Sequence, residues 1–117
     1  MKIAALLLSI FTGTSAFASV SIPNCFNVDP SQAVPNEFLI GLTMPLDQAE
    51  GQQTIEILKQ AGHFAVKGTL TSINVVYVNG SSLSAQEKQN ALAVLNALNQ
   101  KNIFKYVECN GISHLID

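Results

Sequence analysis

From Glu37 onward, polar and apolar positions fall into regular periods, and these set the element boundaries. Over Glu37–Met44, Phe38, Ile40, Leu42 and Met44 alternate with Glu37, Leu39, Gly41 and Thr43, which predicts a strand. Pro45 suits the first turn of a helix, Asp47 and Glu50 lie near its positive end, and Ile55, Leu58 and Gly62 recur at helical spacing. Gly62 is expected to close this helix in a left-handed conformation, and Gly51, costing about 1 kcal/mol against Ala, to leave its first half irregular. His63–Thr71 predicts a second strand with Phe64, Val66 and Leu70 on one face. Ile73–Asn79 predicts a third, with Val75 and Tyr77 opposed by Val76 and Val78. The short join at Thr71-Ser72 makes these two strands antiparallel neighbours.

After a turn at Asn79-Gly80-Ser81-Ser82, Ser84 and Glu87 form a capping box. Ala91, Leu92, Val94, Leu95 and Leu98 give the amphipathic helix that follows, to about Lys101. Ile103–Cys109 is the last strand, with Ile103, Val107 and Cys109 opposed by Phe104, Tyr106 and Glu108. The order strand, helix, strand, strand, helix, strand predicts an α+β, ferredoxin-like domain, a four-stranded antiparallel sheet with two helices on one face. The alternative is a smaller α+β sandwich in which the preceding segment adds an edge strand.

What precedes residue 37 changes the setting. Met1-Lys2, the apolar run Ile3 to Phe11 and the small-x-small triplet Ala16-Phe17-Ala18 read as a signal peptide over residues 1–18. The apolar run is shorter than the roughly 20 residues of a membrane span. The mature chain is therefore expected to be secreted or periplasmic, without membrane association after cleavage. Residues 19–36, with Pro23, Pro30 and Pro35, read as an extended leader, residues 37–109 as the folded domain and residues 110–117 as a tail. In an oxidising compartment, Cys25 and Cys109 are expected to form a disulfide. Neither belongs to a CxxC, and Glu108 beside Cys109 would raise a thiol pKa, so a catalytic thiol is disfavoured.

Composition mainly excludes. With 48% hydrophobic and 12% charged residues, 117 residues suffice for one core. All six basic residues are Lys, net charge is −2 and no basic run exists, so a nucleic-acid partner is not expected. His63 and His114 lack ligand-spaced companions, which argues against a metal site or other cofactor. Ser113, His114 and Asp117 lie too close together on a short tail to hold a triad, and Asp47, Glu50 and Glu56 read as solvated helix acids, so no enzymatic activity is expected. Asn79-Gly80-Ser81 is a glycosylation sequon in an exposed turn, meaningful in a eukaryotic source.

The sheet face turned away from the helices is not uniformly polar. Leu39, Phe104 and Tyr106, joined by Val76 and Val78 if Val75 and Tyr77 point inward, would form an apolar area there. Three readings stay open: a surface for a protein partner, a surface covered by the leader through Ile22, Phe26 and Val28, or a face assignment displaced by one residue in some strand.

Four segments carry a family resemblance. They are Glu37-Phe38-Leu39-Ile40-Gly41-Leu42, the helix end Ala61-Gly62, Thr71-Ser72-Ile73-Asn74-Val75-Val76-Tyr77-Val78, and Phe104-Lys105-Tyr106-Val107-Glu108. Through them residues 36–110 resemble the subtilisin-propeptide-like inhibitors, ferredoxin-like domains that act as folding pro-segments or free-standing inhibitors of subtilisin-type serine proteases. The resemblance implies docking through the open sheet face. It further implies a C-terminal tail lying substrate-like in the protease cleft, here Asn110, Gly111, Ile112, Ser113, His114 and Leu115, followed by Ile116 and Asp117. The alternative is a small secreted binding or structural protein with an unrelated protein partner.

Overall fold

The structure, a computed structural model, describes residues 19–111; the expected signal peptide and the tail from Ile112 lie outside the described residues. The elements run β1 (Ala33–Leu42), α1 (Ala49–Gln60), β2 (Ala65–Leu70), a 3-10 turn (Thr71–Ile73), β3 (Val75–Asn79), α2 (Ala85–Asn99) and β4 (Phe104–Gly111). Every strand pairing is antiparallel and the sheet order is β2-β3-β1-β4. This is an α+β domain with a four-stranded antiparallel sheet and two helices, compatible with the ferredoxin-like arrangement.

The period of two in β1 decides the layers. Phe38, Ile40 and Leu42 are fully buried and share one cluster with Leu58 of α1 and Ala91, Leu95 and Leu98 of α2. Phe38 pairs with Val78 and Cys109, and Ile40 with Val76 and Val107, so these residues lie on the helix side. The other parity, Leu39, Gly41, Tyr77, Tyr106 and Glu108, faces away and is absent from the cluster.

Three face assignments therefore differ from the sequence reading. Val76 and Val78 are fully buried in the core rather than on the open face, which carries Val75 and Tyr77 instead. The cause is Asn74, whose left-handed backbone (φ 58°) ends the 3-10 turn and starts β3 at Val75, opposite Gly41. Phe104, also expected on the open face, is buried at 4% exposure. Tyr106 pairs with Gly41 but Phe104 with Leu42, so Lys105 is an extra residue in β4 that returns Phe104 to the core. In β2 a similar slip between Val66 and Gly68 turns Leu70 away from Val66 and onto the open face, where it is 41% exposed.

The helix ends show what sequence chemistry does and does not dictate. α1 starts at Ala49 rather than Pro45 and is regular through Gly51, which lies in the first turn. A Cβ at Gly51 would collide with the Pro45 carbonyl oxygen and come within 2.8 Å of Leu46 Cα, so the glycine lets the helix start fold tightly over the preceding turn. Gly62 does not take positive φ; His63 does, at 59°. The glycine is needed for space, since a Cβ would meet the Leu58 carbonyl oxygen at 2.8 Å. At α2 the expected capping box is present. Ser84 N–H donates to Glu87 Oε1 at 2.8 Å and Glu87 N–H donates to Ser84 Oγ at 3.2 Å.

The leader is ordered chain packed on the helix side. Val20, Ile22 and Phe26 border the core and Cys25 lies within it, with no exposure. The Phe26 ring meets Phe38 edge-on at 5.2 Å, and Phe38 meets Phe64 at 5.5 Å. At the other end of α2, the buried Asn99 amide accepts from Val20 N–H at 3.2 Å and donates to its carbonyl at 2.6 Å. The leader thus runs beside α2 and does not cover the open face. β1 also begins four residues earlier than expected, at Ala33, and β4 runs on through Asn110 to Gly111, which pairs with Ala33. Pro35 and the positive-φ Asn36 sit in the irregularity between Ala33 and Phe38, where the missing proline N–H and the left-handed turn obscure the strand pattern.

Cys25 and Cys109 form the expected disulfide, their Cα atoms 5.4 Å apart and 84 residues apart in sequence. Closing a loop of that size removes denatured-state entropy worth roughly 4 to 5 kcal/mol. The double substitution Cys25→Ala, Cys109→Ala should therefore lower unfolding free energy by as much as about 4 kcal/mol in urea denaturation. A wild-type-like midpoint would show that the leader holds by packing alone.

The capping box adds a pH dependence. The Ser84 backbone N–H, then its hydroxyl, hold the Glu87 carboxyl below the ordinary glutamate range, with a smaller pull from the charge on His63. A carboxyl lowered in the folded state adds stability above its unfolded value of about 4.3, and that stability fades as pH falls through the folded value. Glu87→Gln should flatten part of the acid limb of melting temperature against pH, and Ser84→Ala should cost about 1 kcal/mol at neutral pH.

Candidate functional site

The candidate site is the helix-free face of the sheet, built by the two central strands, β3 and β1, and the two edges, β2 and β4. In β1, Leu39 lies between Tyr77 of β3 and Glu108 of β4, and Gly41 between Val75 and Tyr106. Leu70 extends the row beyond Val75, and Ile73, 54% exposed, stands in the turn beside it. Leu39, Tyr77 and Tyr106 are half-buried, so apolar ring and side-chain area meets solvent with a phenolic hydroxyl on two of the three.

Gly41 gives this face its shape. A Cβ there would lie 2.5 to 2.9 Å from three ring atoms of Tyr106, so the tyrosine ring lies across the strand over the glycine. A lone glycine in an alternating strand signals such a close approach, and the sequence carried that signal at Gly41. The ring is thereby laid down as part of the surface instead of standing free in solvent.

The apolar area ends in a polar clamp. The Glu37 carboxylate accepts from Asn79 Nδ2 at 3.2 Å through one oxygen and from Asn110 Nδ2 at 3.1 Å through the other, tying β1 to both neighbours. No spacing rule announces this contact, because the residues are 42 and 73 positions from Glu37.

Of the residues expected to bind a partner, the structure brings Leu39 and Tyr106 together on the open face and places Val76, Val78 and Phe104 in the core. Asn110 and Gly111 are the last residues of β4, whereas Ile112, Ser113, His114 and Leu115 lie outside the described residues. Tyr77 and Leu70 join the site through the strand irregularities described above, with Val75, on the same parity, buried between them.

Away from this face, a concavity of about 180 Å³ lies between α1, the end of α2 and the entry to β4, lined by Met44, Ile57, Leu98 and Ile103. Glu50 and Lys101 line it as well. Among the described residues no group of three or more His, Cys, Asp and Glu side chains could hold a metal ion. No helix among them is long and apolar enough to cross a membrane.

The ring-over-glycine contact can be measured. Gly41→Ala should cost about 1–3 kcal/mol by overpacking, and the cost should largely vanish in a Tyr106→Ala background. Equal costs in both backgrounds, read from urea denaturation, would place the clash elsewhere. Comparison of the chain with protein-family models, curated proteins and solved structures found no match to any of them.

Proposed function

We propose that this chain is a secreted, non-catalytic protein-binding domain of ferredoxin-like topology. It acts as an inhibitor of, or propeptide-like chaperone for, a subtilisin-type serine protease, docking through the open sheet face and the C-terminal tail. The observation that carries the binding role is the bare apolar row Leu39, Tyr77 and Tyr106, left uncovered while the leader is tied to the opposite side. Half-buried tyrosines on a rigid sheet are suited to anchoring a partner, since they offer large area at little entropic cost. The choice of protease rests on the sequence resemblance over residues 36–110. β4 ends at Gly111 beside Ala33 of β1, and a protease cleft takes substrate as an extended strand, so the resemblance would have residues 112–117 enter the cleft.

Secretion fits the same reading. A disulfide closing nearly the whole domain needs an oxidising compartment, and the apolar start of the chain supplies an export signal.

The test is inhibition of a panel of subtilisin-type proteases by the purified mature protein. The expected result is a nanomolar inhibition constant against at least one of them. Tyr77→Ala should raise that constant by a factor equivalent to at least about 2 kcal/mol. Deleting residues 112–117, which leaves the Gly111 to Ala33 pairing intact, should raise it about tenfold, or 1.4 kcal/mol, without lowering the melting temperature. No inhibition at micromolar concentration would sink the protease assignment and leave a binding domain with an unrelated partner.

A further inference from the structure

We infer that Asn79 is an N-glycan acceptor, and that its glycan stands at the polar end of the open sheet face. Asn79-Gly80-Ser81 is the sole Asn-x-Ser/Thr triplet in the chain. The side chain belongs to the open face, being paired with Glu37 in β1 and Ala65 in β2, and no helix covers it there. Asn79 Oδ1 accepts from Ser81 N–H at 2.8 Å, and Ser81 itself is exposed.

The amide nitrogen can carry a sugar without losing its structural contact. Nδ2 has two hydrogens, and Glu37 Oε2, at 3.2 Å, takes one of them. Glycosylation replaces only one, so the remaining N–H can still donate to Glu37. The transfer is a substitution at the sugar. Nδ2 forms a bond to the anomeric carbon of a lipid-diphosphate-linked oligosaccharide while the bond from that carbon to the diphosphate oxygen breaks. The lipid diphosphate leaves with the electron pair, and the displaced amide proton passes to solvent. The donor is a membrane-bound lipid-linked oligosaccharide, present in the same compartment that forms disulfides in eukaryotic cells.

The position has a consequence for docking. Tyr77 lies two residues from Asn79 on the same face, so a glycan would border the apolar row at that end. Glu37 also holds Asn110, so a partner that engaged both the open face and the tail would have to accommodate the glycan beside the end of β4. The inference does not depend on which partner binds.

The test is expression of the full chain, with its own leader, in a eukaryotic secretory host. The secreted protein should carry the Cys25–Cys109 disulfide and run as a heavier species. Peptide:N-glycosidase should remove the excess and leave an aspartate at position 79 in the peptide map. Ser81→Ala should abolish the heavier species while keeping Asn79, its bond to Glu37 and the melting temperature of wild type produced in a host that adds no N-glycan. Secreted, disulfide-bonded protein without a glycan would overturn the inference. Retention of the full chain outside the secretory pathway would overturn it too, since the chain would never meet the donor.

Discussion

β1 joins the two halves of the sheet, and the direction of its alternate side chains constrains everything else. Once Phe38, Ile40 and Leu42 are buried under the helices, the registers with β3 and β4 fix which side chains of those strands can enter the core. A slip of β3 or β4 by one residue against β1 would exchange a buried valine for a half-exposed tyrosine, an exchange worth on the order of 2 kcal/mol of lost apolar burial per side chain. The open face is thus defined by what the core excludes. Its apolar character remains after the core has taken the better-fitting parity.

That dependence explains what could be read from the sequence. The element order was legible because each segment carries its own period, and the capping box because Ser84 and Glu87 are three residues apart. The disulfide was legible because two cysteines in a chain read as exported leave one pairing. Face membership was not, because a single inserted residue shifts the parity and leaves little trace in composition. Lys105 and the slip before Gly68 each reverse the side of every residue beyond them, and a period-two reading has no means of counting such insertions. The bridge from Glu37 to Asn79 and Asn110 was hidden for a related reason, since it exists only once three strands are in register.

The leader shows how local polarity can mislead. Its prolines and polar residues suggest a solvated arm, yet Cys25 is fully buried and Phe26 packs edge-on against Phe38. A few anchors suffice: one disulfide, the ring contacts of Phe26 with Phe38 and Phe64 and the paired hydrogen bonds of Asn99 to Val20. Because all of them lie on the helix side, the segment closes the flank of the core and leaves the sheet bare. The apolar tyrosine face and the ordered leader are two results of the same placement.

Joining Cys25 to Cys109 closes residues 25–109 into a covalent ring. A single backbone cut anywhere inside that ring, for instance at the exposed Ser81-Ser82 turn, changes the connectivity but separates no fragment. The cleaved chain keeps both halves at high effective concentration and can hold the same sheet. Where peptidases are present, such an architecture tolerates nicking, and its lifetime is governed by a second cut or by reduction of the bridge rather than by the first encounter.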